Sequence, residues 1–179
     1  MQSFPWLSAA IWLPIVAGTL ILAIGRDRSA ALVRTLALAA SLLGFLVTLP
    51  LYFGFDAAQP GLQFVEKLPW IERLNAHYYL GVDGISVWFV LLSAFMTVLV
   101  VIAGWEVIEQ KVAQYYAAFL ILSGLMIGVF AAADGLLFYV FFEATLIPMY
   151  FIIGIWGGPR RVYAAFKFFL YTLLGSLLM

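Results

Sequence analysis

One carboxylate, Glu143, stands near the middle of the apolar run from Gly135 to Trp156. At about 1.5 Å per helical residue it lies roughly 12 Å from the start of a span that must cross about 30 Å of hydrocarbon, out of easy reach of either aqueous edge. An acidic group at that depth costs on the order of 2.5–3.5 kcal/mol. A buried partner, a proton or a water-filled path must offset that cost. Burial favours the neutral form of a carboxyl, and a neighbouring ammonium favours the charged form. A group under both influences switches when one nearby charge moves. That is the chemistry of a proton relay, and it makes Glu143 the candidate proton-transfer residue. The plainer alternative is a protonated acid that only closes a packing contact.

The residues around it extend or limit that reading. Pro148 has no N–H, so the carbonyl of Ala144 loses its helical partner. The freed oxygen either holds a water or polar side chain beside Glu143, or simply marks a packing kink. Helical spacing puts Tyr139 and Tyr150 on the Glu143 side. A phenol there bonds the carboxylate or lines a wet channel, although such tyrosines more often serve as core or interface aromatics. Lys167 lies one to two turns inside the next apolar run. Its stem can snorkel back to the membrane edge beside Arg160 and Arg161, or point inward as a second member of the relay. Arg34, placed similarly in the second apolar run, is expected to snorkel. Asp134 directly precedes the Glu143 helix and is expected to cap it by accepting from first-turn N–H groups. Asp83 is expected to act as a similar cap or turn residue ahead of the third span.

The elements that must carry these groups follow from composition. Of 179 residues, 66% are hydrophobic and 10% charged, with a mean hydropathy of +1.10; a soluble domain has about a quarter charged. The chain is therefore read as all-α, a polytopic transmembrane helical bundle. Apolar runs at about 4–24, 31–53, 85–103, 113–133, 135–156 and 162 to the C-terminus predict five full spans and a sixth that is cut short. The first is read as a span and not a cleaved signal peptide, because no basic residue precedes it. The expected division is residues 1–112, three spans with an external loop at about 54–84, and residues 113–179. Within the loop, Leu62–Lys67 alternates weakly and predicts a short strand, while Trp70, His77, Tyr78 and Tyr79 suit an interfacial aromatic belt.

Seven of the nine Lys and Arg residues, namely Arg26, Arg28, Arg34, Lys111, Arg160, Arg161 and Lys167, fall on one side of this arrangement, leaving Lys67 and Arg73 on the other. The positive-inside rule makes the first side cytoplasmic and the N-terminus periplasmic. The chain has no cysteine and one histidine, His77, and neither a glycine-rich dinucleotide loop nor a phosphate-binding loop is present. That excludes a disulfide or a thiolate iron–sulfur site and leaves any redox chemistry to another subunit. No metal site and no nucleic-acid surface is expected; the surrounding is the lipid bilayer.

The run Phe141-Phe-Glu143-Ala-Thr-Leu-Ile-Pro148 continues to Gly154-Ile-Trp-Gly-Gly-Pro-Arg-Arg161-Val-Tyr-Ala-Ala-Phe-Lys167-Phe-Phe-Leu-Tyr-Thr172. Together with Gly81-Val-Asp83-Gly-Ile-Ser86, it resembles the subunit M family (chain 4 in mitochondria) of proton-pumping NADH–quinone oxidoreductase, complex I. The resemblance covers most of the chain from about Tyr78 onward. It implies the first six spans of an antiporter-like fourteen-helix fold with two inverted repeats, the first beginning at span four. It implies that Glu143 pairs with a lysine on a broken seventh helix, and that further lysine and glutamate residues continue a hydrated line across the membrane plane. Cofactors on this chain are none; NADH, flavin, iron–sulfur clusters and quinone are implied elsewhere in the complex. The implied partners are other membrane subunits, including the antiporter-like L and N types, in a bacterial inner membrane. Because the match stops inside a sixth span, the chain is read as the N-terminal third of a longer protein.

These readings converge on a proton-translocating subunit that couples quinone reduction to proton transfer through Glu143, with Lys167 as second member. Two alternatives stand beside it. One is a subunit of a multisubunit sodium/proton antiporter, which shares the glutamate helix. The other is a membrane scaffold whose carboxylate only packs.

Overall fold

A computed structural model describes residues 4–25 and 30–178. Six helices follow the apolar runs: α1 Trp6–Ile24, α2 Ala30–Phe53, α3 Ser86–Val107, α4 Val112–Ala131, α5 Gly135–Trp156 and α6 Arg161–Leu177. The first five, of 19 to 24 residues, are long and apolar enough to cross a membrane; α6 has 17 residues. The chain is a multi-pass membrane protein. Its outward faces carry exposed large apolar side chains such as Leu20, Leu36, Phe95, Leu99 and Phe151, as lipid contact requires.

Helix α4 is the centre. Half of its span is buried inside the bundle, against 28% for α5, and it packs against α1, α2, α3 and α5. Close approach to α1 depends on small residues: a side chain at Gly124 would meet the Ile11 carbonyl, and one at Gly18 would come within 2.9 Å of the Ala117 carbonyl. One apolar core gathers Leu7, Ile11, Leu51, Leu80, Ile127 and Phe141; a second, nearer the other membrane face, gathers Ile21, Val33, Val101, Tyr116 and Leu120. Between α3 and α4 a buried hydroxyl pair, Thr97 donating to Ser123 at 2.7 Å, satisfies groups that lipid could not.

The loop after α2 holds more structure than its sequence predicts. In place of one short strand there is an antiparallel hairpin, β1 Gln63–Ile71 and β2 Ala76–Val82, joined by a single 3-10 turn at Glu72–Leu74 and by Asn75 in the left-handed region. Pro69 breaks the ladder near the turn, where the register shifts between Pro69 and Ile71. His77, Tyr78 and Tyr79 are therefore strand residues. Ala76, Leu80 and Val82 are buried, so β2 lies over the helix ends as a lid. Its Leu80 bridges Ala132, and the Ala133 N–H donates to the Tyr79 carbonyl.

The hairpin is pinned to two helix N-termini by carboxylates. Glu66 of β1 accepts from the N–H of Leu7 at 2.8 Å, from the N–H of Ser8, and from the Ser8 hydroxyl, capping α1. Tyr78 adds its phenol to Ser8 and accepts from the Trp12 indole N–H at 3.1 Å. Asp134 caps α5, with Oδ1 accepting from Leu136 at 2.9 Å and Leu137 at 3.1 Å, while Oδ2 accepts from the His77 N–H at 3.0 Å. The expected cap at Asp134 is thus present and carries an extra tie. Those N–H groups, His77 foremost, hold its carboxyl below the usual aspartate range. Asp83 takes the expected turn role: it accepts from Ile85 and Ser86 while Ser86 returns a bond to the Asp83 N–H. The Ser86 and Ile85 N–H groups lower its carboxyl likewise.

On the opposite membrane face Arg34 departs from expectation. Its guanidinium turns into the bundle and donates to the Ile108 carbonyl just past α3 at 2.9 Å, with Nε buried. The last carbonyls of a helix lack intrahelical donors and carry negative dipole charge, so a nearby cation is held there in preference to reaching water. The same face carries Lys111, Arg160 and Arg161 at helix ends. Arg26 and Arg28 lie outside the described residues.

Candidate functional site

Helices α5 and α6 form an antiparallel pair turning at Gly157-Gly158-Pro159-Arg160. Glycines and proline stop α5, and Arg161 closes it by donating to the Ile155 carbonyl at 2.9 Å. At the same level the Trp156 indole donates to the Gln110 carbonyl at 3.1 Å, tying the turn to the loop between α3 and α4. Helix register is thereby set at the turn, and Asp134 sets it again at the other end of α5.

That register places Glu143, half-buried, on the flank of α5 that meets α6. There the hydroxyl of Ser176, itself buried, donates to Glu143 Oε1. The same Ser176 oxygen lies 2.9 Å from the Leu173 carbonyl one turn back. The Tyr139 phenol, one turn before Glu143 on α5, lies near both Glu143 and Ser176. Three polar side chains from two helices therefore meet in otherwise apolar surroundings: a carboxyl, a hydroxyl and a phenol. Each group can take part in hydrogen bonds, and the carboxyl is the strongest acid of the three.

The other candidates are placed elsewhere. Tyr150 packs between Phe166 and Phe169, at ring separations of 5.5 and 5.7 Å, and is an interface aromatic. Pro148 is buried beside the groove between α4 and α5, within an unbroken α5. Lys167 is exposed, its ammonium 5.8 Å from the rings of both Tyr163 and Tyr171, one turn before and after it on α6. It is not brought together with Glu143. Among the described residues no group of three His, Asp or Glu is placed to hold a metal ion.

Ser176 was not singled out by sequence. The signal available was the turn itself: folding α5 and α6 antiparallel about residues 158–159 sets Glu143 opposite about position 174, where Thr172 and Ser176 are equally near hydroxyls on that helix. A lone serine in an apolar run carries no such message until the hairpin closes.

Comparison with known proteins covers the whole of this arrangement. Residues 11–132 match the family model described as NADH-ubiquinone oxidoreductase chain 4, amino terminus. Residues 132–179 match the family described as NADH:quinone oxidoreductase/Mrp antiporter, TM. NADH-quinone oxidoreductase subunit M of Rhodobacter capsulatus is 53% identical over 176 residues, 97% of this chain and 34% of that protein. NADH-ubiquinone oxidoreductase chain 4 of Arabidopsis thaliana is 47% identical over 174 residues, 97% of this chain and 35% of that protein. Among solved structures, respiratory complex I from Thermus thermophilus with bound NADH contains a chain that superposes with a TM-score of 0.80 at 33% identity, covering 96% of this chain and 33% of the other. The chain thus spans about a third of the length of the curated relatives it matches. By the model matched over residues 11–132 and these full-span identities, the chain belongs to the NADH-ubiquinone oxidoreductase chain 4 family, which includes bacterial subunit M.

Proposed function

We propose that the chain serves in a proton-translocating membrane subunit of NADH–quinone oxidoreductase, with Glu143 as a reversible proton site. The carrying observation is the carboxyl held inside the bundle between α5 and α6 against a hydroxyl partner. Burial at that depth opposes the charge, and a hydrogen-bond donor supports it; a carboxyl so balanced takes up and releases a proton when an outside charge approaches or leaves. That charge comes from beyond Glu143's immediate neighbours, since Lys167 points outward over Tyr163 and Tyr171.

Electron transfer belongs to other subunits. With no cysteine and one histidine, the chain offers no thiolate set for an iron–sulfur cluster, and NADH, flavin and quinone are assigned elsewhere in the assembly. Partners are further membrane subunits, the L and N types among them. A bacterial inner membrane with the N-terminus in the periplasm agrees with the clustering of Arg34, Lys111, Arg160 and Arg161 on the face opposite the hairpin.

A sodium/proton antiporter subunit is the second reading, because the description matched by residues 132–179 names both classes. The match over residues 11–132 names the oxidoreductase alone and favours it. The deciding experiment is Glu143→Gln in the assembled complex, measured in inverted vesicles. Protons moved per NADH oxidised fall by tenfold or more while the complex still assembles. Unaltered translocation in that variant leaves the carboxylate a packing group and overturns the proposal.

A further inference from the structure

We infer that Ser176 is the positioning residue that keeps Glu143 hydrogen-bonded in both of its protonation states. This rests on the reading of Glu143 as a proton site and adds the device that makes its two forms interchangeable.

A serine hydroxyl carries one proton and two lone pairs. The Ser176 oxygen has two acceptors within reach, Glu143 Oε1 on α5 and the Leu173 carbonyl on its own helix. One proton cannot serve both at once. With Glu143 ionised, the hydroxyl turns to the carboxylate and forms a charge-assisted bond. The Leu173 carbonyl then keeps only its helical bond, which is sufficient. With Glu143 protonated, its own O–H donates to Ser176 Oγ, and the serine proton swings to the Leu173 carbonyl. In each state the Glu143–Ser176 contact is a made hydrogen bond, and apart from the proton gained or lost at Glu143 only a rotation about the serine Cβ–Oγ bond separates them.

This matters because a buried carboxyl without such a partner is satisfied in at most one state. The other groups around the pair do not supply the function. On α5 the Tyr139 phenol lies near the pair and can also donate or accept, but the hydrogen bonds formed at Glu143 and Ser176 run between those two and to the Leu173 carbonyl. On α6 the titratable side chains Tyr163, Lys167 and Tyr171 are all exposed. From α4, Tyr115 packs on Trp156 at the far end of α5, and Tyr116 points to the Val101 carbonyl of α3. From the hairpin, His77 meets α5 at its start, where its backbone N–H bonds Asp134.

The test compares Ser176→Ala, Ser176→Thr and Glu143→Gln in the assembled complex in vesicles. Two readouts are taken: the infrared C=O band of the protonated Glu143 carboxyl, identified by its loss in the Gln variant, and protons moved per NADH. Removing the hydroxyl takes a charge-assisted bond from the ionised form and a weaker neutral bond from the protonated form, so the equilibrium shifts toward the protonated carboxyl by roughly five- to tenfold. Ser176→Ala should therefore enlarge the band at fixed pH and move it to higher wavenumber, as for a carboxyl with no acceptor, with coupling reduced severalfold. Ser176→Thr, which keeps the hydroxyl, should match the native band and coupling. A native band position and coupling in Ser176→Ala, with the band and coupling abolished in Glu143→Gln, overturns the serine's role alone. Native coupling in Glu143→Gln removes the proton site itself and the inference with it. Should Ser176→Ala fail to assemble, Ser176→Cys, a weak donor of similar size, carries the same comparison: a band between native and free supports the role, and a native band overturns it.

Discussion

Replacing Asp134 by alanine removes three hydrogen bonds at once, and the structure separates their contributions. Oδ1 caps the first turn of α5 through Leu136 and Leu137, and Oδ2 holds the His77 N–H of β2. Loss of an N-cap costs about 0.5–2 kcal/mol. The bond to His77 has a charged acceptor but stands half-exposed, so about 1 kcal/mol is appropriate for it. The total is about 1.5–3 kcal/mol, released locally where the hairpin meets α5. Asp134→Asn keeps the cap, since asparagine caps as well as aspartate, but sets an amide against the His77 N–H and should lose only about 1 kcal/mol. Amide hydrogen exchange reads these values directly. Protection at Leu136, Leu137 and His77 should fall by roughly 10- to 160-fold in the alanine variant; in the asparagine variant it should fall by roughly fivefold, at His77 alone. Acid should act in the same direction. The folded carboxyl is held below the unfolded value of about 3.9, so the stabilisation is complete above that pH and is lost as pH falls through the lower folded value. Unchanged protection in Asp134→Ala, or equal losses in both variants, would refute the idea that one carboxylate joins β2 to the helix carrying Glu143.

Two further outcomes follow from the packing. Glu66→Ala should uncap α1 by removing the acceptor for Leu7, Ser8 and the Ser8 hydroxyl, at a cost of about 1–2 kcal/mol. It should appear as faster exchange at Leu7 and Ser8 with the core of α4 untouched; equal exchange in both forms would show that the hairpin does not hold α1. Gly124→Val would push a side chain against the Ile11 carbonyl and the Ile15 side chain, separating α1 from α4. The expected loss is about 1–3 kcal/mol, checked by the thermal midpoint of the detergent-solubilised protein. A midpoint equal to the native one would place the α1–α4 contact elsewhere.

Much of this protein was written in its apolar periodicity. Runs of about twenty mostly apolar residues have one stable form in lipid, a helix that pairs its own backbone, so the number of helices and their limits to within a few residues needed no tertiary information. Glu143 was conspicuous for the same reason: a carboxylate in hydrocarbon carries its cost wherever its neighbours lie. The cap at Asp134 and the turn at Asp83 were also legible, because each acts within three residues of itself. The hairpin was half-legible. Leu62–Lys67 alternates, but β2 runs Ala-His-Tyr-Tyr-Leu-Gly-Val and looked like interfacial aromatics, because its pairing is with a strand and not with its own neighbours.

What the chain alone could not decide was which side chains would meet across elements. Arg34 turning to the Ile108 carbonyl, Glu66 reaching the start of α1, and Ser176 reaching Glu143 join residues 74, 59 and 33 positions apart. Such contacts depend on helix rotation and on the closure of turns, and both are set by packing at other points, such as Gly124 on α1 and Trp156 on Gln110. Local sequence determines that a group is buried and what that costs. The tertiary arrangement determines what it is buried against, and for a carboxyl in a membrane that neighbour decides whether it can carry a proton.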